Sequence, residues 1–139
     1  MATTLQTFID ELIPVIRAVS DINFVPDDAP DTIATFPAGV VYPDSGRMTL
    51  GPPEVTTYHH NIVVAIMTPL VDLAHASRIL TPKLEPVVEA IYTAFTNNTF
   101  TTLENIASMS YTFQPVEWGG INLVGFFITL EEVKVQRNL

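Results

Sequence analysis

The sequence predicts an α+β fold: a small antiparallel or mixed β-sheet, two main helices packed on one of its faces, and a long C-terminal β-hairpin. Three observations carry that expectation. Apolar residues recur at helical spacing in two separate stretches, one near the N-terminus and one from Leu84 to Phe95. Runs of β-branched and aromatic residues lie between and after them, bounded by glycine, proline and asparagine. The resulting order is helix, two or three strands, helix, two strands, which suits helices gathered on one face of a sheet. At 139 residues the chain has room for one core, so a single domain over 1–139 is expected.

The first helix rests on Leu5, Phe8, Ile9, Leu12, Ile13 and Ile16, with Gln6, Asp10, Glu11 and Arg17 on the opposite face. Thr3 or Thr4 is its N-cap candidate, and Pro14 inside the pattern predicts a kink. Residues 20–53 then bring Pro26, Pro30, Pro37, Pro43, Pro52 and Pro53, interspersed with Asp21, Asp27, Asp28, Asp31 and Asp44. This reads as a stiffened acidic connection. It contains two short strands, Ala38–Tyr42 and Arg47–Leu50, around an Asp44-Ser45-Gly46 turn.

Val55 to Met67 follows as a strand whose run Ile62–Met67 is apolar enough for a central position, and Pro69 ends it. Leu70–Leu80 reads as a short helix or helical turn. Thr81-Pro82 reads as a new helix start, a capping hydroxyl before a proline at the first helical position. Leu84, Val87, Val88, Ile91 and Phe95 make the stripe of that helix, and Asn97-Asn98 end it. The chain closes with a hairpin: Tyr111–Val116, a Gly119-Gly120 turn that permits positive φ, and an extended run through Val133. That last strand would reach roughly 40 Å at about 3.3 Å per residue, more than so small a core needs. It carries no catalytic group, so an assembly surface is the better reading.

Composition points the same way. The chain is 47 % apolar and 15 % charged, with a mean hydropathy of +0.31. Such a surplus is better hidden against other copies than left on a monomer. Six bases against fifteen acids give a formal charge of −9. Arg17, Arg47, Arg78, Lys83, Lys134 and Arg137 are scattered, so no run of them tracks a phosphate backbone and tight DNA binding is excluded. There is no cysteine, hence no disulfide or thiolate metal site. Met1 to Gln6 lacks the pattern of a signal peptide, and no apolar run approaches the roughly 20 residues of a membrane span. A soluble protein made in a cytoplasm is expected.

No constellation argues for an enzyme, a cofactor or a metal. His59-His60 is the best metal candidate, but strand neighbours point to opposite faces and His75 stands alone. Glu131-Glu132 should diverge in the same way and serve as charges that discourage wrong edge pairing. Asp27-Asp28 and Asp31 lack the alternating ligands, the glycine and the closing glutamate of a calcium loop. Ser45 and Ser77 have no base in a recognisable motif, and Asn97-Asn98-Thr99 is a glycosylation pattern common by chance. Trp118 either folds back on its own hairpin or anchors a neighbouring subunit. Arg47 is either a solvated arginine or the partner of an acid on another copy.

Taken together, the N-terminal helix, Phe36-Pro37-Ala38-Gly39-Val40-Val41 leading to Gly51-Pro52-Pro53, the strand Asn61–Met67 with the Thr81-Pro82 helix, and the Trp118-Gly119-Gly120…Phe126-Phe127-Ile128-Thr129-Leu130-Glu131 hairpin resemble one family. It is the tail terminator (tail completion, or minor tail) proteins of long-tailed bacteriophages, and the resemblance covers nearly the whole chain. It implies a structural virion protein at the head-proximal end of the tail, assembled in the host cytoplasm. Six copies would form a ring that ends growth of the tail tube and offers a docking face to the head. The implied partners are further copies of the chain, the tail tube protein and a head-completion or connector protein. Genomic DNA would pass through without specific binding, and no membrane is involved. Arg47, Trp118, Gly119 and Gly120 are the interface candidates; Asp27, Asp28, Asp31 and Asp44 are the candidates for acids facing the lumen. Another phage neck component, or a non-catalytic α+β adaptor or ligand-binding domain, is the alternative.

Overall fold

The computed structural model describes residues 4–51 and 54–135. In chain order the elements are helix α1 (Thr4–Arg17), strands β1 (Ala38–Gly51) and β2 (Glu54–Pro69), helix α2 (Leu73–Thr96), and strands β3 (Leu103–Asn105), β4 (Ser108–Trp118) and β5 (Ile121–Val135). The protein is an α+β fold built on one curled, fully antiparallel sheet. β5 is its centre. β2 pairs along one side of β5 and β4 along the other, with the short β3 continuing beside β5 past the start of β4. β1 pairs with β2 and forms one outer edge.

Strand alternation divides the core into two layers. Ile62, Val64 and Ile66 of β2, with Phe126, Ile128 and Leu130 of β5, face both helices. There they meet Phe8, Leu12 and Ile16 of α1 and Leu80, Val87 and Ile91 of α2, all buried. Phe8 and Phe100 close one end of this layer edge to face, with ring centroids 5.0 Å apart. Both main helices thus lie on one face. Ala38, Val40, Val63, Ala65, Met67, Leu123 and Phe127 look the other way. Their cover is the proline-rich segment, through buried Ile33 and the partly buried Phe24 and Phe36, together with Trp118. That segment is therefore a core-covering layer as well as a connection.

This second layer corrects the expectation that β5 is longer than its own core needs. Leu123, Val124, Phe126, Phe127, Ile128 and Leu130 are all buried, because the strand is sandwiched between helices on one side and the proline-rich cover on the other. Its length is used within the chain. β5 runs to Val135, and β4 is longer than expected at both ends.

The first helix spans its expected stripe, and the second differs from expectation in its punctuation. α1 continues three residues past Pro14, although the proline leaves the Asp10 carbonyl without its helical donor. Thr3 lies outside the described residues. Leu70–Leu80 and the Thr81-Pro82 start are corrected into one helix, capped by Asp72, whose side chain accepts from the Ala74 N–H at 3.0 Å. Thr81 caps nothing. Its hydroxyl lies 3.4 Å from that of Ser77, one turn back. Pro82 and Pro86 each cost about 3 kcal/mol inside a helix. Burial of Leu80, Val87 and Ile91 contributes about 1.5–3 kcal/mol each, which offsets that cost. The helix ends as expected, with Asn97 as C-cap and Asn98 at φ 57°.

The two short strands around Asp44-Ser45-Gly46 are likewise corrected into the single strand β1. Pro43 pairs with Ile62 and Ser45 with Asn61, so Asp44 is the extra residue of a bulge. Pro43 is tolerated because β1 is an edge strand. Pro52 and Pro53 lie outside the described residues. β3 has no counterpart in the sequence reading. The Gly119-Gly120 turn is as expected: both glycines have positive φ, 58° and 80°, and Trp118 pairs with Ile121 across them.

Candidate functional site

The feature with most bearing on function is how the sheet ends. Among the described residues, the outer side of β1 meets only an isolated bridge from Phe24 to Ala38. Among the described residues, the outer side of β4 meets no strand. The two open edges lie on opposite sides of the sheet and so present different surfaces. A third feature extends β1 and β2. Their pairing runs to Gly51 and Glu54, and among the described residues β2 pairs with β5 from His59 onward. Residues 48–51 and 54–58 are paired with each other as a two-stranded ribbon.

At the root of the ribbon the structure gathers most of the polar candidates. Arg47 Nη2 lies 2.9 Å from Glu132 Oε2, and Asn61 Nδ2 donates to Ser45 Oγ at 2.9 Å. Glu132 has φ 54° and donates its backbone N–H to Asn61 Oδ1 at 3.1 Å. It occupies a break in register, since His60 pairs with Val133 but Ile62 with Leu130. His59 Nδ1 sits 3.1 Å from the same carboxylate without the alignment of a hydrogen bond. Burial, and then the neighbouring His59, hold the His60 imidazole below its usual pKa.

The expected divergence of Glu131 and Glu132 is corrected by this bulge. Glu131 accepts from Ser110 Oγ at 2.5 Å and Ser108 Oγ at 3.0 Å. Those serines alternate with Met109, Tyr111 and Phe113, which face the helices, so Glu131 shares the far face with Glu132, Asn61 and His59. The positive φ of Glu132 turns its side chain back to that face. Ser110, and then Ser108, hold the Glu131 carboxyl below the ordinary carboxylate range. A depressed carboxyl contributes stability above its unfolded pKa, and that stability is lost as pH falls through the lower folded value. Ser110→Ala is expected to move the Glu131 midpoint upward in a carboxyl-resolved NMR titration. An unchanged midpoint would show that the hydroxyl is not its main partner.

The interface candidates are placed as follows. Trp118 packs with the second core layer, donates its indole N–H to the Pro30 carbonyl at 2.8 Å, and meets Tyr42 edge to face at 6.3 Å. Gly119 lies against the backbone of Asp31 and Thr32, while nothing lies within 4 Å of where a Gly120 side chain would begin. Trp118 and Gly119 thus fasten the proline-rich cover to the hairpin, a role the sequence reading missed. Arg47 is paired within its own chain but remains 60 % exposed.

The acids divide. Asp27 and Asp28 line one shallow pocket with Tyr42 and Pro43, beside Asp44. Burial and then the charge of Asp44 push the Tyr42 phenol up. Asp27 also accepts from Arg17, which donates to the Val25 carbonyl as well, at 2.6 Å. Asp31 sits apart, at the Gly119 turn. Among the described residues no three His, Cys, Asp or Glu side chains come together to hold a metal, and no helix is long and apolar enough to cross a membrane. Compared with known protein families and with curated proteins, the sequence matches none.

Proposed function

We propose that the chain is a structural subunit of a phage tail, forming a ring, six copies by the resemblance, at the head-proximal end of the tail tube. The reading rests on one observation above the others: the sheet is open on two opposite and unlike edges. Edges that differ join head to tail, and head-to-tail contacts close into a ring when the rotation permits. A ring of this kind ends tube growth by covering the last tube layer, and its other face receives the head-completion or connector protein. Pro43 on β1 and Pro115 on β4 each remove a backbone donor, so contacts along these edges run in short stretches.

In such a ring Asp27 and Asp28, with Asp44 next to Pro43, form one patch, and Asp31 stands apart from it at the Gly119 turn. Facing the lumen, they repel phosphate and let a duplex pass without sticking. Light scattering and negative-stain images of the purified protein, alone and with tail tube protein, test the proposal. Closed rings are expected, with no tight, salt-sensitive binding of duplex DNA. A strict monomer in both conditions overturns it.

A further inference from the structure

The large apolar side chains that stand exposed among the described residues fall into two patches of opposite shape. One is convex. Val71, 90 % exposed, and Leu73 lead into α2, and the Leu70 N–H donates to the Asn122 carbonyl at 3.0 Å, which sets the exposed Ile121 at the same end. The other is concave. Between α2 and β4 lies a groove of about 420 Å³, lined by Leu84, Val88, Met109 and Ile128, with Tyr111 57 % exposed beside them. A hollow of about 210 Å³ continues it at Met109 toward Tyr92, which is 59 % exposed. Apolar groups left in water in contiguous patches mark contact surfaces.

We infer that the convex patch at the start of α2 seats in the α2–β4 groove of a second copy of this chain, an assignment that rests on the ring reading. Charge commits the occupant. Glu85 and Glu89 stand at the groove one helical turn apart, a like-charged pair that weakens a helix unless a cation comes between. Neither has an ion-pair partner among the described residues. Behind the convex patch, His75 and Arg78 lie one turn apart on the exposed face of α2, and Arg78 is likewise without an acid among the described residues. Asp72, the acid within the patch, already accepts from the Ala74 N–H as the helix cap. An apolar tip backed by a base thus meets an apolar hollow flanked by two acids. The chain cannot make this contact with itself, since Leu73 and Val88 lie roughly 20 Å apart along α2 at about 1.5 Å per residue. Tip and groove are different surfaces, so each copy gives and receives once, head to tail.

Charge reversal tests the pairing at exposed residues, where the fold is spared. Light scattering over a concentration series compares the unmodified chain with Arg78→Glu, with Glu85→Arg plus Glu89→Arg, and with all three substitutions together. Each of the first two variants is expected to raise the concentration of half-assembly about tenfold or more, because like charges then face each other. The triple variant is expected to return it to within about threefold of the unmodified chain, since the pairing is restored with its signs exchanged. Val71→Asp, which places a charge in the apolar tip, is expected to raise it about tenfold as well. A triple variant no better than its parts overturns this assignment while leaving the ring standing. So does undiminished assembly by Arg78→Glu, by the double variant or by Val71→Asp; should Val71→Asp prove unfolded by circular dichroism, the charge set decides. Absence of multimers from the unmodified protein removes both readings together.

Discussion

Replacing Gly125 by alanine is expected to destabilise the protein by about 3 kcal/mol or more, at the upper end for overpacking a core. Gly125 is central in the central strand, paired with Met67 on one side and Gln114 on the other. A Cβ there would press into the Ile66 carbonyl and lie 2.8 Å from Met67 Cγ. The methionine side chain can move, but the carbonyl belongs to the backbone of β2. Relief therefore requires β2 and β5 to part where both core layers meet. Denaturant unfolding followed by circular dichroism measures the loss. A midpoint equal to that of the unmodified protein would mean that the strands do not approach so closely.

Gly119→Val is expected to cost about 3 kcal/mol, and Gly120→Val only about 1 kcal/mol, although the two glycines are neighbours in one turn. Both have positive φ, which a β-branched residue resists. Only Gly119 has a second obstacle, since its Cβ would lie 2.5 Å from the Asp31 carbonyl oxygen and 3.0 Å from Thr32 Cα. The valine must push the proline-rich cover off the sheet or distort the hairpin. Trp118 is the only tryptophan and its indole bonds to Pro30, so its fluorescence reports that detachment directly. A red shift is expected for the Gly119 variant at conditions where the Gly120 variant keeps the native spectrum. Equal effects at both positions would show that the turn conformation alone matters and that the cover does not lean on it.

The open edge of β4 and the polar cluster around Glu132 show why the candidate site is only half legible in the sequence. The strand character of Arg47–Leu50 and of Val55 onward is readable in the sequence, but which strand pairs with which is set by the fold. A hollow between α2 and β4 joins Leu84 and Val88 to Met109 and Tyr111, more than twenty residues apart. Leu84 and Val88 read in the sequence as part of a helical stripe. Nothing local says that β4 would lie open beside them. Arg47 stands out in the sequence as the lone base of its region, yet its partner Glu132 lies 85 residues away and reaches it through a bulge.

By itself the sequence determined the features that short-range physics controls. The apolar stripes of both helices, the buried run Ile62–Met67, the Asn97 helix end and the Gly119-Gly120 hairpin all follow from spacing or from φ at single residues. Tertiary structure decided the rest. α2 stays continuous through Thr81-Pro82 because side chains before and after the proline are buried on one sheet. β1 stays continuous through Asp44-Ser45-Gly46 because β2 supplies ladder partners on both sides of the bulge. The proline-rich segment became a core layer because Ile33 and Trp118 found the far face of β2 and β5. Proline, glycine and aspartate state only a local preference for turning, of about 1–3 kcal/mol. Burial against elements distant in the chain is worth as much or more, and it exists only once the fold brings them together.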